Sequence, residues 1–315
     1  MKNLKVFSLN EFLNLNIPAK EYLLEPWLPK QGIAMVYSPT GVGKTWFCIG
    51  TAFAVSTGTI FLKWGANKSH GVLYIDGEMQ AYNLIERLKY FNNSLNNLNS
   101  KTPLFFLPND LQDTLIPDLA NFEGQNFIDQ KINELQQISG VRIELLIIDN
   151  LSSLLRTGDE NDAESWLPFQ NWLLDLRRRN ISILFAHHAN KEGYQRGTSR
   201  RTDIADSVIS LRFPQKQSYD LCDFSFEVHF EKTRGAMEQG YESFLAKMTR
   251  HDDQNNLPEM FWEYESVVND STYKKVIDLM KQGKNQKEVA EILKIHKGTV
   301  SKHVNRARSE GKFLS

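Results

Sequence analysis

Apolar residues along this chain fall into two kinds of run. Continuous apolar stretches occupy 32–37 (GIAMVY), 71–76 (GVLYID), 143–149 (IELLIID) and 181–186 (ISILFA). Strands buried on both faces read this way, because neither face of a parallel sheet meets water. Helix-length stretches lie between them, at 46–55, 82–90, 128–139 and 166–179. Strand and helix in alternation predict an α/β fold built on a mostly parallel twisted sheet. Further strands are expected at 206–212, 224–230 and 241–247, the last two as a hairpin, with a short extended piece at 104–107. The polar segment 192–202 is expected to be a mobile loop.

Three segments organise the chain. Residues 1–30, with Pro18, Pro26 and Pro29, are expected to form an N-terminal arm, folded either on a neighbouring copy or on its own domain. Residues 31–265 form the main domain, and a polar linker is placed near 265–271. Residues 271–315 read as a small all-α helix-turn-helix domain. A helix over 273–282 is closed by Gly283, Asn285 caps a second over 286–294 with Glu288 completing a capping box, and a third starts at Lys297. Val289, Ala290, Leu293, Ile295, Val300 and Val304 recur at the spacing that packs the helices together.

Charge separates the two domains. Residues 271–315 hold 11 Lys/Arg against four acids, a net +7, which leaves −8 on the rest of a chain whose total is −1. A basic appendage on a mildly acidic body suits a nucleic-acid-binding module. Its third helix offers Lys297, Thr299, Ser301, Lys302, Asn305 and Arg306 to phosphates and base edges. A three-helix domain used for protein contact is the alternative. Two distant cysteines, Cys48 and Cys222, indicate reduced thiols and a cytoplasmic protein. The stretch 45–62 carries no charge, but its Gly, Ser and Thr content suits a buried helix better than a membrane span.

The sharpest signal is Ser38-Pro-Thr-Gly-Val-Gly-Lys-Thr45, set between the first strand and the first helix. Such a loop is the phosphate cradle of P-loop NTPases. Backbone N–H groups of Ser38, Thr40, Gly41, Val42, Gly43 and Trp46 surround the position where an anion meets the helix N-terminus, and Pro39 belongs to the same loop without a donor of its own. Lys44 supplies a point charge at the β/γ-phosphates, and the Thr45 hydroxyl is placed to ligate Mg²⁺. Ser38 stands where the motif usually opens with glycine, and it is small enough for the strand exit.

Acidic residues end the neighbouring strands. Asp149 closes an apolar run in the Walker B pattern and is expected to hold Mg²⁺ opposite Thr45. Glu78 follows the strand that ends in Asp76. Position alone leaves open whether Glu78 polarises the attacking water or only complements a helix dipole, with Asp76 as its competitor. His187 and His188 end another strand. Adjacent residues on an extended chain point to opposite faces, so a shared metal is disfavoured and γ-phosphate sensing or coupling to DNA is preferred. Arg196, Arg200 and Arg201 lie on the polar loop beyond, with Arg200 and Arg201 expected to contact nucleic acid.

Taken in order, SPTGVGKT, YIDGEM, LLIIDNL, the DEND loop, FAHHANK, RGTS and EKTRG resemble the RepA-like branch of the RecA-fold ATPases, relatives of the DnaB-type hexameric helicases. The resemblance spans about 25–247. It implies that Glu78 is the catalytic carboxylate, and that His187 and His188 take part in coupling γ-phosphate state to DNA loops. It also implies that Lys232 and Arg234 enter a neighbour's nucleotide site, with Arg196 a second candidate finger. It further implies ATP and Mg²⁺, a homohexameric ring on single-stranded DNA, no membrane, and replication of a plasmid, phage or mobile element. Two departures stand out: no primase-binding domain is expected before the motor, and the helix-turn-helix, which would engage duplex DNA or a protein partner, lies outside the minimal motor. The rivals are an ATP-switched DNA-binding regulator and another RecA-fold ATPase without unwinding activity.

Overall fold

The computed structural model describes residues 5–94, 103–158, 163–189, 200–214, 222–234, 240–251, 259–267 and 270–309. The arm divides in two. Its first part is exposed and includes α1 (Leu9–Leu13), closed by a capping box between Ser8 and Glu11. Its second part belongs to the main domain. The short strands β1 (Tyr22–Leu24) and β2 (Leu28–Pro29) pair with each other, and Leu23, Leu24, Trp27 and Leu28 are fully buried. The Trp27 indole meets Trp64 and Phe47 at ring distances of 5.5 and 5.7 Å. The main domain thus starts within the expected arm.

The central layer follows. Strand β3 (Ile33–Ser38) leads into α2 (Lys44–Thr57), then the small hairpin β4 (Ile60–Phe61) and β5 (Trp64–Gly65), strand β6 (Gly71–Asp76), α3 (Ala81–Ser94) and β7 (Leu104–Pro108). Next come α4 (Phe122–Ser139), β8 (Ile143–Asp149), the turn α5 (Leu151–Leu154), α6 (Ala163–Arg178), β9 (Ser182–His188) and the turn α7 (Arg200–Asp203). Strands β10 (Ser207–Arg212), β11 (Phe224–Thr233), β12 (Phe244–His251) and β13 (Glu259–Ser266) complete the sheet.

Nine strands form that sheet in the order β13-β12-β11-β10-β3-β9-β8-β6-β7. The six from β10 to β7 run parallel, and β11, β12 and β13 extend the sheet antiparallel. Alternation along the parallel strands builds a core on each face. Val36, Val72, Leu145 and Leu184 pack with α2 and α3, while Met35, Leu73, Leu146 and Ile183 pack with α4 and α6. In α2, 12 of 14 residues are buried, so the lack of charge after Lys44 is explained by a central position in the first core. Among the described residues, no helix is long and apolar enough to cross a membrane.

β13 corrects the sequence reading. No strand is expected from the sequence beyond 247, yet Met260 and Trp262 turn inward from β13, and Trp262 packs on Phe61 and Phe226. The C-terminal module holds α8 (Asp270–Lys281), α9 (Gln286–Leu293) and α10 (Lys297–Ser309). Asn285 caps α9 and accepts from the Lys287 and Glu288 N–H groups, while Glu288 accepts from the Asn285 N–H. Val276, Val289, Val300 and Val304 form its small core, as the spacing predicts.

Candidate nucleotide-binding site

Parallel strands place their C-terminal ends along one edge, and β3, β9, β8 and β6 lie side by side there. Ser38, His188, Asp149 and Asp76 are the last residues of these strands. A cleft of about 420 Å³ opens above them, lined among others by Thr40, Lys44, Thr45, Glu78, Asp149 and His188.

The loop before α2 turns on two left-handed glycines, Gly41 at φ 84° and Gly43 at φ 115°. A Cβ on Gly43 would lie 2.6 Å from the Phe224 ring, so its bare Cα also makes room for that wall of the cleft. Val42 is fully buried, so it can offer an anion only its backbone. Thr40 and Thr45 border the opening, Pro39 is half-buried outside its lining, and the Trp46 ring lies 5.0 Å from the Arg87 guanidinium.

Lys44 is buried, and its Nζ donates to Ser38 O and Oγ, each at 3.3 Å, and to His188 Nδ1 at 3.2 Å. The other ring nitrogen, Nε2, lies 3.0 Å from the Asn150 amide nitrogen and 3.6 Å from Glu78 Oε2. Burial, then the nearby ammonium, lowers the His188 pKa and keeps the ring neutral. Burial likewise lowers the Lys44 pKa. Asn150 donates to Glu78 Oε2 and receives the Ser153 N–H at its own Oδ1. The Glu78 side chain is 60% exposed, which suits a group that must meet water.

Two acids share the floor. Asp149 accepts from the Tyr74 hydroxyl at 2.6 Å, and the nearby Thr45 hydroxyl acts to lower its pKa. Asp76 accepts from the Met79 and Glu78 N–H groups at 2.7 and 3.2 Å. Burial, then the Asp149 charge, pushes the Asp76 carboxyl up to about 7, and burial raises Asp149 as well. Asp76 is therefore committed to shaping the turn before Glu78. Two buried carboxylates and a hydroxyl are hard oxygen donors that a divalent cation would relieve, which fits Mg²⁺. Among the described residues no group of three or more His, Cys, Asp or Glu converges as a metal cage. Mg²⁺ held by few protein ligands together with substrate phosphates has that pattern.

The other expected site residues lie elsewhere. Lys232 pairs with Val208 and Thr233 with Ser207, where β10 begins, while the cradle follows the far end of β3. Lys232 and Arg234 are thus at the edge opposite the chain's own cradle. Lys232 donates to Thr202 O at 2.6 Å, and Arg234 donates to Asp203 O. Arg196 lies outside the described residues, and Arg200 begins α7. Arg201 overturns its expected role: it is 5% exposed, donates to His187 Nε2 at 2.5 Å and lies over the Trp166 ring. A guanidinium packed on an indole inside the domain is not presented to nucleic acid. In α10, Lys297 and Thr299 are exposed and Ser301 is half-buried. Lys302 and Arg306 lie on the same helix, with side chains outside the described residues.

Among the residues of the site not singled out for it in the sequence are Tyr74, Arg87, Asn150 and Phe224. Each gains its role only from a neighbour brought in by the sheet. A signal existed for Asn150 alone, since it directly follows the Walker B acid.

One strand separates the cradle strand β3 from β8, and the glutamate follows the next strand, β6. This sheet with this loop defines a P-loop ATPase of the RecA type. The family model of the AAA domain matches residues 3–194, and the chain belongs to that family. No curated protein matches the sequence. Among solved structures, a KaiC-like protein from the hyperthermophilic archaeon Pyrococcus horikoshii OT3 is similar, with a TM-score of 0.48 at 17% identity over 76% of this chain and 93% of that one.

Proposed function

We propose that this ATPase is a ring-forming DNA motor whose hydrolysis sites are completed between copies. It uses ATP, encircles single-stranded DNA as a homohexamer and serves replication of a plasmid, phage or mobile element. The observation that carries the reading is the placement of Lys232 and Arg234 at the sheet edge opposite the cradle. A basic pair so placed cannot serve its own site and suits a neighbour's. The exposed Val6, Leu9, Phe12 and Leu13 of the arm add an apolar surface suited to contact between copies.

In this reading Lys44 leaves Ser38 and His188 for the phosphates. Glu78, steadied by Asn150, takes the proton of the attacking water at Oε2, and His188 reports the change at Lys44. Thr45 and Asp149 would hold Mg²⁺, which would supply positive charge against the phosphates. The adenine enters beside Trp46, Arg87 and Phe224, which line both the cleft and a side pocket reaching Met248 and Arg250. Arg234 of the next copy stabilises charge on the transferring group. Arg196 stands second for that role, and Arg200 is a candidate contact to nucleic acid. The module 271–315 recruits the motor to duplex DNA or a protein partner through Lys297, Thr299, Ser301, Lys302 and Arg306.

The test is the ATPase rate with and without single-stranded DNA for wild type and Arg234→Ala, with assembly mass measured under ATP. Stimulation by single strands, lost in the variant while the assembly persists, supports the motor. The basic helix α10 favours a second reading, an ATP-switched regulator. A rate indifferent to single strands with tight binding to particular duplexes would establish that reading instead.

A further inference from the structure

The turn α7 is only four residues long, yet it is held from two sides. Toward the nucleotide edge, Arg201 lies across the Trp166 ring at 5.4 Å and donates to His187 Nε2 at 2.5 Å. That bond assigns the His187 proton to Nδ1, 3.4 Å from Ser152 Oγ in the segment that follows Asp149. His187 is fully buried, and the next residue is His188, on the opposite face of the strand beside Lys44. Toward the other edge, the last carbonyls of α7 receive the basic pair. Thr202 O and Asp203 O accept from Lys232 Nζ at 2.6 and 3.1 Å, and Asp203 O also accepts from Arg234. The Arg234 N–H donates to Asp206 O at 2.7 Å, just beyond the turn. One four-residue turn thus joins the strand end at the cradle to the pair at the far edge of the sheet.

We infer that α7 links this chain's own nucleotide site to the basic pair it presents to the next copy, with Arg201 as the positioning residue of that link. The inference rests on the proposed role of Arg234 in a neighbour's site. A shift of β9 when Lys44 exchanges His188 for a phosphate moves His187, and Arg201 carries the displacement into the carbonyls that hold Lys232 and Arg234. The planar guanidinium suits the task, since it stacks and donates at once, which a lysine cannot reproduce. Occupancy of one site would then set the readiness of the finger serving another.

Two measurements test it. In the first, kcat, KM and nucleotide affinity are compared for Arg201→Lys, Arg234→Ala and the double variant. The expected result is affinity within about twofold of wild type, kcat down about tenfold or more for Arg201→Lys, and a double variant no slower than Arg234→Ala alone. Independent, multiplying losses would overturn the link, because they mean separate steps. A wild-type rate in Arg234→Ala would sink the finger reading instead. The second needs no variant: hydrogen exchange of the wild-type chain, diluted to the monomer, with and without a non-hydrolysable ATP analogue. Altered protection at residues 200–206 and 232–234 is expected. Unchanged protection there, with a clear change in the cradle, would overturn the inference even if Arg234 proves to be a finger.

Discussion

The Lys44 ammonium lies 3.2 Å from His188 Nδ1, and the far side of that imidazole faces Glu78. The phosphate-binding cation and the candidate base are therefore spaced by one neutral ring. Replacing His188 with Ala frees Lys44 and removes the neighbour of Glu78. We expect kcat to fall about 10- to 100-fold with nucleotide affinity changed less than about threefold, and His188→Gln to recover part of the loss. Steady-state kinetics beside a fluorescent-nucleotide titration check this.

The two loop glycines should respond differently to a methyl group. Gly43→Ala places a Cβ against the Phe224 ring in a left-handed conformation, so it costs about 2–4 kcal/mol and abolishes nucleotide binding. Gly41 has the positive φ but open space around it, so Gly41→Ala costs about 1 kcal/mol. Thermal melts of both variants, with and without nucleotide, separate the cases.

Asp76 makes stability depend on pH in a definite direction. Its folded carboxyl is pushed up to about 7 from an ordinary 3.8, so the folded state favours the protonated form. The stabilising contribution is complete below the unfolded value and is lost as pH rises through about 7. Asp76→Asn removes the charge that burial disfavours. The variant should be more stable than wild type at pH 8, by on the order of 1–3 kcal/mol, and the gap should shrink on acidification and close at about pH 4. Added Mg²⁺ should narrow the gap at pH 8. A gap that widens on acidification would contradict the sign.

The C-terminal module should be separable from hydrolysis. Val300 is fully buried in a core of four valines, and Val300→Ala should cost about 1–3 kcal/mol of the module's stability. Lys297→Ala removes one exposed cation and should weaken duplex binding while lowering its salt slope by about one. ATPase activity without DNA should be unchanged in both. Fluorescence anisotropy across a salt series reads the second effect.

Much of this architecture was legible because parallel strands are apolar on both faces. The runs that became β3, β6, β8 and β9 announced themselves, and the phosphate loop fixed which ends face the site. β13 was hidden because only one of its faces is buried, so Glu259, Phe261, Glu263 and Glu265 alternate with the inward Met260 and Trp262. Tyr22–Leu24 was hidden by brevity and neighbouring prolines, although Leu23 and Leu24 are wholly buried. Arg201 misled for a chemical reason: an arginine in a polar, basic stretch reads as surface, and only Trp166 and His187, distant in sequence, turn it inward. Arg87 and Tyr74 carry no local motif, since their roles arise across the sheet from Trp46 and Asp149.

The opposite-edge placement of Lys232 and Arg234 also restricts symmetry. A contact that carries one copy's Arg234 to another's Lys44 joins two different patches, so it cannot be two-fold and self-complementary. Each added copy leaves one used and one unused patch, and the series ends only where a rotation closes it or runs on as a helix. On dilution, such an assembly should lose hydrolysis per chain more steeply than nucleotide binding, because the cradle travels with each copy and its completing charge does not.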